Sequence, residues 1–305
     1  MKKIIALAVA GAFVPAINAA EITVGGSIEF QVTDNATTST AKNDSYDPMI
    51  TIGATSETNA GYTVSGNIDY DTNGTAVDDA NISIAGDFGK VTVGSPSGGL
   101  DAYGDYTDIS PEKGGFRGDG TDQFIAFSPA LGGPVSVTVS VTPADYSSNG
   151  ASNEGSAIGI EYSGGAFTAY AGTESYKSSS TSANDLDVEV TSYGVKTTIG
   201  GVMIAAEAGT LSNEGAAAQD SDFSGFAVKY SMGDITFGYE SQSIDTAYTK
   251  GVAGSTASST TVAKADEDIA FISYNFGGGL SAYVEGYDES EGDTEQTTVG
   301  LKYSF

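Results

Sequence analysis

The 305-residue sequence contains no cysteine, no histidine and no tryptophan, and only 12 basic residues against 40 acidic ones. Each shortage removes a class of chemistry. Without cysteine there are no disulfides, thiol nucleophiles or thiolate metal sites, which suits an exported protein that does not depend on crosslinks. Without histidine the commonest general base and metal ligand is missing, so carboxylates have no positioned partner for hydrolytic work and no enzymatic activity is expected. A formal charge of −28 makes nucleic acid and anionic lipid poor partners.

Long apolar runs are equally scarce. Lys2 and Lys3 precede an apolar stretch from Ile4 to Phe13, followed by Pro15 and the small residues up to Ala19 and Ala20. That pattern predicts a secretory signal peptide over residues 1–20, cleaved after Ala19 or Ala20, with one domain over 21–305. Its loss takes the net charge to about −30. Beyond Phe13 nothing approaches the roughly 20 apolar residues of a membrane helix, so any membrane insertion has to use strands.

What the sequence does have is alternation. From Glu21 to Thr33 the even positions carry Ile22, Val24, Gly26, Ile28, Phe30 and Val32, and the odd ones are mostly polar, the period of a strand with one greasy and one wet face. The pattern recurs along the whole chain, for instance at Ile50/Ile52, Phe124/Ala126, Ile158/Ile160/Tyr162, Phe226/Val228/Tyr230 and Val299/Leu301/Tyr303/Phe305. About sixteen strands result, with ambiguous phase at Phe124 to Ser128 and at Phe167 to Thr173. Short turns, such as Ile199 to Gly201, alternate with long polar loops at Asp34 to Tyr46, Gly94 to Asp122, Tyr176 to Asp187 and Ile244 to Glu267. That asymmetry is the pattern of a transmembrane β-barrel.

Charges give an independent check. Within strands, Glu21, Glu29, Asp69, Asp79, Lys90, Glu161, Lys196, Glu207, Lys229, Glu240, Glu285 and Lys302 all fall on the face opposite the apolar one. They are the expected inward wall charges. Tyr62 and Tyr70 share the apolar face eight residues apart, roughly 26 Å at 3.3 Å per residue, close to the separation of two aromatic girdles once tilt is allowed for.

Three segments carry a family resemblance: the start Glu21-Ile22-Thr23-Val24-Gly25-Gly26, the strand Phe88 to Gly94 before a long loop, and the end Val299-Gly300-Leu301-Lys302-Tyr303-Ser304-Phe305. The chain resembles the general diffusion porins of Gram-negative outer membranes, in particular the sixteen-stranded alphaproteobacterial type. The resemblance implies an all-β transmembrane antiparallel barrel in the outer membrane, assembled as a homotrimer among outer-membrane lipid and passing small hydrophilic solutes and ions. It further implies that Leu301, Tyr303 and Phe305 form the signal read by the barrel-assembly machinery. The long loop between strands 5 and 6 would fold inward and narrow the pore. That loop carries Asp101, Asp105, Asp108, Glu112, Asp119 and Asp122 against Lys113 and Arg117, the one arginine of the chain. An acid excess on loop and wall together predicts a preference for cations.

Acidic clusters at Asp71, at Asp220 and Asp222 and from Asp288 to Glu295 invite loop-bound Ca2+, but none completes a spaced calcium loop, and no cofactor is expected. A secreted β-rich adhesin or surface-layer protein would share the composition, yet no fixed repeat period appears and the terminal Phe305 would have no explanation.

Overall fold

In the computed structural model the described residues are 20–35, 42–71, 76–104, 106–111, 124–148, 151–179, 186–214, 220–245, 248–251, 259–262, 265–290 and 294–305. The first strands run β1 (Glu21–Asn35), β2 (Lys42–Glu57), β3 (Thr63–Asp71), β4 (Ala76–Gly86), β5 (Gly89–Gly94) and β6 (Ile125–Pro129). Longer strands follow: β7 (Val135–Ser148), β8 (Ala151–Gly164), β9 (Phe167–Ser179), β10 (Leu186–Ile199), β11 (Val202–Glu214), β12 (Ser221–Met232) and β13 (Ile235–Ile244). A separate hairpin pairs β14 (Tyr248–Gly251) with β15 (Ser259–Val262), and β16 (Ala265–Gly277), β17 (Leu280–Glu289) and β18 (Thr294–Ser304) complete the chain.

Among the described residues, sixteen of these strands close an antiparallel barrel in chain order, with β13 pairing β16 across the hairpin. Closure joins β1 to β18 from Ser27↔Ser304 to Asn35↔Gln296. Reciprocal backbone bonds from Gly26 N–H to the Phe305 carbonyl (3.1 Å) and from Phe305 N–H to the Gly26 carbonyl (3.0 Å) extend the seam. Closure leaves no unpaired strand edge, the condition for a sheet to exist in lipid.

The alternation sorts side chains as the sequence implies. Ile22, Val24, Phe30, Ile52, Ile160, Tyr193, Phe226, Val284 and Leu301 are exposed large apolar residues on the outside, while Glu29, Thr138, Ser140, Glu207, Glu240, Glu285 and Thr298 on the other face are buried. An outside of this kind is stable only against hydrocarbon. The seven short turns lie at one end, where residues need the conformations only glycine adopts freely. Gly200 and Gly201, with φ of 58° and 86°, make the two-residue connection between β10 and β11 that matches the twist of paired strands.

Three expectations are corrected. In β6 the phase is the reverse of Phe124/Ala126: Ala126 is buried, Phe127 is exposed, and Phe127 pairs with Val91 of the lipid face while Ala126 pairs with the buried Thr92. Five residues with apolar side chains on both faces are too few for period alone to set the phase. The expected loop from Asp34 to Tyr46 is largely strand, since β1 and β2 stay paired as far as Asp34↔Lys42. Ladder bonds continue beyond the apolar band, where no alternation of apolar and polar residues marks them. For the same reason the expected loop from Ile244 to Glu267 contains the β14–β15 hairpin.

Candidate pore and its constriction loop

Between β5 and β6 the chain turns into the barrel. Residues 99–104 and 106–110 dock on the wall formed by β7 to β13, held by groups of two kinds. The first are wall hydroxyls: the Gly99 N–H donates to Ser140 Oγ at 2.7 Å, and the Tyr103 hydroxyl shares a hydrogen bond with Thr138 Oγ1 at 2.9 Å. The second are wall carboxylates. Glu207 accepts from the Tyr106 N–H (3.1 Å) and the Thr107 hydroxyl (2.6 Å), Glu161 accepts from the Tyr106 hydroxyl (2.7 Å), and Glu240 Oε2 accepts from the N–H groups of Ile109 (2.8 Å) and Ser110 (3.1 Å). Charge-assisted bonds of this sort are roughly twice as strong as neutral ones and suit a segment with no ladder of its own. The other oxygen of Glu240 is buried without a hydrogen-bond partner.

Apolar packing reinforces the tethers. Leu100 and Tyr106 are buried in one cluster with Tyr170, Val188, Val190, Ala205, Leu211, Phe223, Ala227 and Ile244. The Tyr106 and Tyr170 rings meet edge to face at 4.8 Å, and the Lys196 ammonium lies 3.8 Å from the Tyr106 ring centroid. Burial, then the bond to Glu161, pushes the Tyr106 hydroxyl up from its ordinary range, so it remains a donor at neutral pH. The approach is close enough to require bare backbone beneath the loop. A Cβ on Gly159 would sit 1.8 Å from the Gly99 carbonyl oxygen, and one on Gly225 would sit 2.6 Å from Thr107 Oγ1.

Of the expected loop residues, Asp101 and Asp108 are half-buried on the docked segment. Asp105, Glu112, Lys113, Arg117, Asp119 and Asp122 lie outside the described residues. Among the wall charges, Glu29, Glu207, Glu240 and Glu285 are buried, Asp69, Asp79, Glu161, Lys196, Lys229 and Lys302 are intermediate, and Glu21 and Lys90 are exposed. The structure brings Glu161, Glu207, Glu240 and Lys196 together under the loop. On the far wall, Glu29 takes a 3.0 Å ion pair from Lys302 and a 2.7 Å hydrogen bond from the Tyr283 hydroxyl. Leu301, Tyr303 and Phe305 are exposed on the outer face of the closing seam. Among the described residues no group of three acidic side chains could hold a metal ion.

Sequence reasoning missed Tyr106, Thr107, Tyr170, Thr138 and Ser140 as loop anchors. The available signal was Tyr170, an aromatic on the polar face of β9, since a side chain of that size facing the interior needs something to pack against.

Residues 6–295 match the family model described as Gram-negative porin. The chain belongs to the Gram-negative porin family. Solved structures agree on the fold. This porin superposes on OmpT of Vibrio cholerae in its trimer form with a TM-score of 0.69 at 14% identity, covering 94% of this chain and 100% of that one. OmpF of Salmonella typhi gives 0.69 at 14% identity over 95% and 100%. The anion-selective porin of Comamonas acidovorans gives 0.67 at 12% identity over 94% and 100%. No curated protein matches by sequence. Family and fold together make this porin an outer-membrane barrel of the diffusion-channel class.

Proposed function

We propose that this porin is a passive, cation-preferring channel for small hydrophilic solutes, without catalytic activity. A barrel of about sixteen strands is too wide for side chains to fill, which leaves an aqueous path for solutes to follow. Shared fold does not decide the sign of selectivity, since an anion-selective porin has the same one. The reading rests on charge: 40 acidic against 12 basic residues, with inward carboxylates at Glu21, Asp69 and Asp79 on the wall away from the docked loop, support a cation preference. Carboxylates lining a narrow path concentrate cations and exclude anions through the local potential. The test is the reversal potential in a planar bilayer under a KCl gradient. Cation preference is expected at every gradient, and a reversal potential of the anion sign overturns it.

Export and assembly follow the same reading. Residues 1–20 act as a cleaved leader, residues 94–122 form the constriction, Leu301, Tyr303 and Phe305 serve as the assembly signal, and the working unit is a homotrimer in the outer membrane. Support for the trimer comes from OmpT of Vibrio cholerae, which has a trimer form. Amino-terminal sequencing of outer-membrane protein, with Ala20 or Glu21 as the expected first residue, checks the leader.

A further inference from the structure

Beneath the docked loop, toward the short-turn end of the barrel, lies an open recess of about 600 Å³. Tyr106 and Asp108 of the loop form its roof, and Thr168, Lys196, Thr197 and Lys229 of β9, β10 and β12 form its wall. Both lysines are half-buried and point inward, because their strand neighbours Tyr193, Val195, Phe226 and Tyr230 are exposed on the lipid face.

These lysines stand out for what they do not pair with. Acidic residues outnumber basic ones more than three to one along the chain, and elsewhere Lys302 pairs with Glu29 and Lys177 with Asp187. Among the described residues neither Lys196 nor Lys229 has a carboxylate within ion-pair distance. The nearby wall carboxylates face the loop, Glu161 accepting from the Tyr106 hydroxyl and Glu207 from the Tyr106 N–H and the Thr107 hydroxyl, and Asp108 lines the roof, so the recess carries charge of both signs. Lys196 instead rests on the Tyr106 ring, which holds its ammonium in place while supplying no counter-charge. An anion arriving from solution would add a charge-assisted partner to each ammonium. Two ammonium groups lining one recess, separated by the β11 strand, suit two carboxylate groups on one small molecule.

We propose that this recess is a transient binding site for small dicarboxylate anions, a stopping place for one class of anion in an otherwise acidic barrel. The inference deepens the channel reading and rests on the barrel being open. It implies entry from the short-turn end, because the loop roofs the site from the other side.

The experiment uses the folded porin in a planar bilayer with succinate as probe, each recording normalised to the same variant's current in KCl of equal ionic strength. Succinate added at the short-turn side is expected to cause concentration-dependent current interruptions in the wild type. K196Q/K229Q should weaken that block roughly tenfold or more, the scale of losing a charge-assisted bond. Lys90→Gln, outside the recess, should retain it. Equilibrium dialysis of labelled succinate against detergent-solubilised protein, with folding verified by heat-modifiable mobility, gives a readout independent of conduction. A conducting wild type with neither block nor dialysis binding, or a block that survives in K196Q/K229Q, overturns the inference. A barrel that does not conduct sinks the channel reading instead, and dialysis then decides the recess alone.

Discussion

The two halves of this barrel are built for different tasks. From β7 to β13 the strands run ten to fourteen residues, the inner face carries glycines where the loop passes, and the inward carboxylates are consumed as hydrogen-bond acceptors for the loop. From β16 through β18 and β1 to β4, the inner face carries Glu29 tied to Lys302 and Tyr283, and Asp69 bonded by Asn67 at 3.0 Å. Two residues of identical charge and phase, Glu207 and Asp69, therefore have opposite uses, one as a structural acceptor and one as wall charge beside the pore. An inward carboxylate on a barrel wall has no meaning until what lies against it is known.

The sharpest way to break this contrast is to deny the loop its seat. Gly159→Val places side-chain atoms where the Gly99 carbonyl now lies and should expel the loop, raising single-channel conductance and current noise several-fold on the scale of a widened aqueous path. Gly66→Ala on β3, where a Cβ comes no closer than 3.3 Å to another atom, should leave conductance as it is. Equal responses at the two glycines would erase the distinction between the halves.

A second test removes tethers and leaves the seat intact. Glu240→Ala leaves the Ile109 and Ser110 amides without their acceptor and should cost about 2–3 kcal/mol in denaturant unfolding of the detergent-solubilised protein. Combining it with Glu207→Ala should give a non-additive loss, because both hold one segment. On the opposite wall, Tyr283→Phe removes one hydrogen bond to Glu29 and should cost about 1 kcal/mol, read as a shift in unfolding midpoint with unchanged conductance. Smallest of all is Lys177→Ala, which deletes a 2.7 Å ion pair with Asp187 between side chains 57% and 37% exposed, and should change stability by less than about 1 kcal/mol.

Much of this was legible in the sequence because lipid imposes a rule on every other residue. The outward faces of β1, β8, β12 and β18 follow from period two, and the sixteen-strand barrel from that period taken with the alternation of short turns and long loops and the family resemblance. The rule fails where lipid stops enforcing it. Tyr248–Gly251 and Ser259–Val262 pair as a hairpin outside the barrel, where no alternation is imposed, and Phe124 to Ser128 is too short to show which face is which. The loop anchors were invisible for a different reason: Gly99 meeting Gly159, or Tyr106 meeting Glu207, is a contact across some sixty or a hundred residues, and no periodicity reports it. Glu161, Glu207 and Glu240 were readable as inward charges but not as acceptors, since the groups that occupy them come from a loop with no regular pattern.

The seam between β1 and β18 also governs the order of assembly. Every other neighbouring pair in the barrel is consecutive in the chain or, for β13 and β16, separated only by the β14–β15 hairpin, and so closes a far shorter loop. Joining Ser27 to Ser304 closes a ring of nearly the whole chain, about 3 kcal/mol more expensive in closure entropy than a ten-residue hairpin. Until it forms, the sheet has two raw edges and a greasy outer face, and no local repair is available to it. A chain cut short before β18 is therefore stranded as an open sheet, so folding ends in a single latching step that only the last eleven-residue strand can perform.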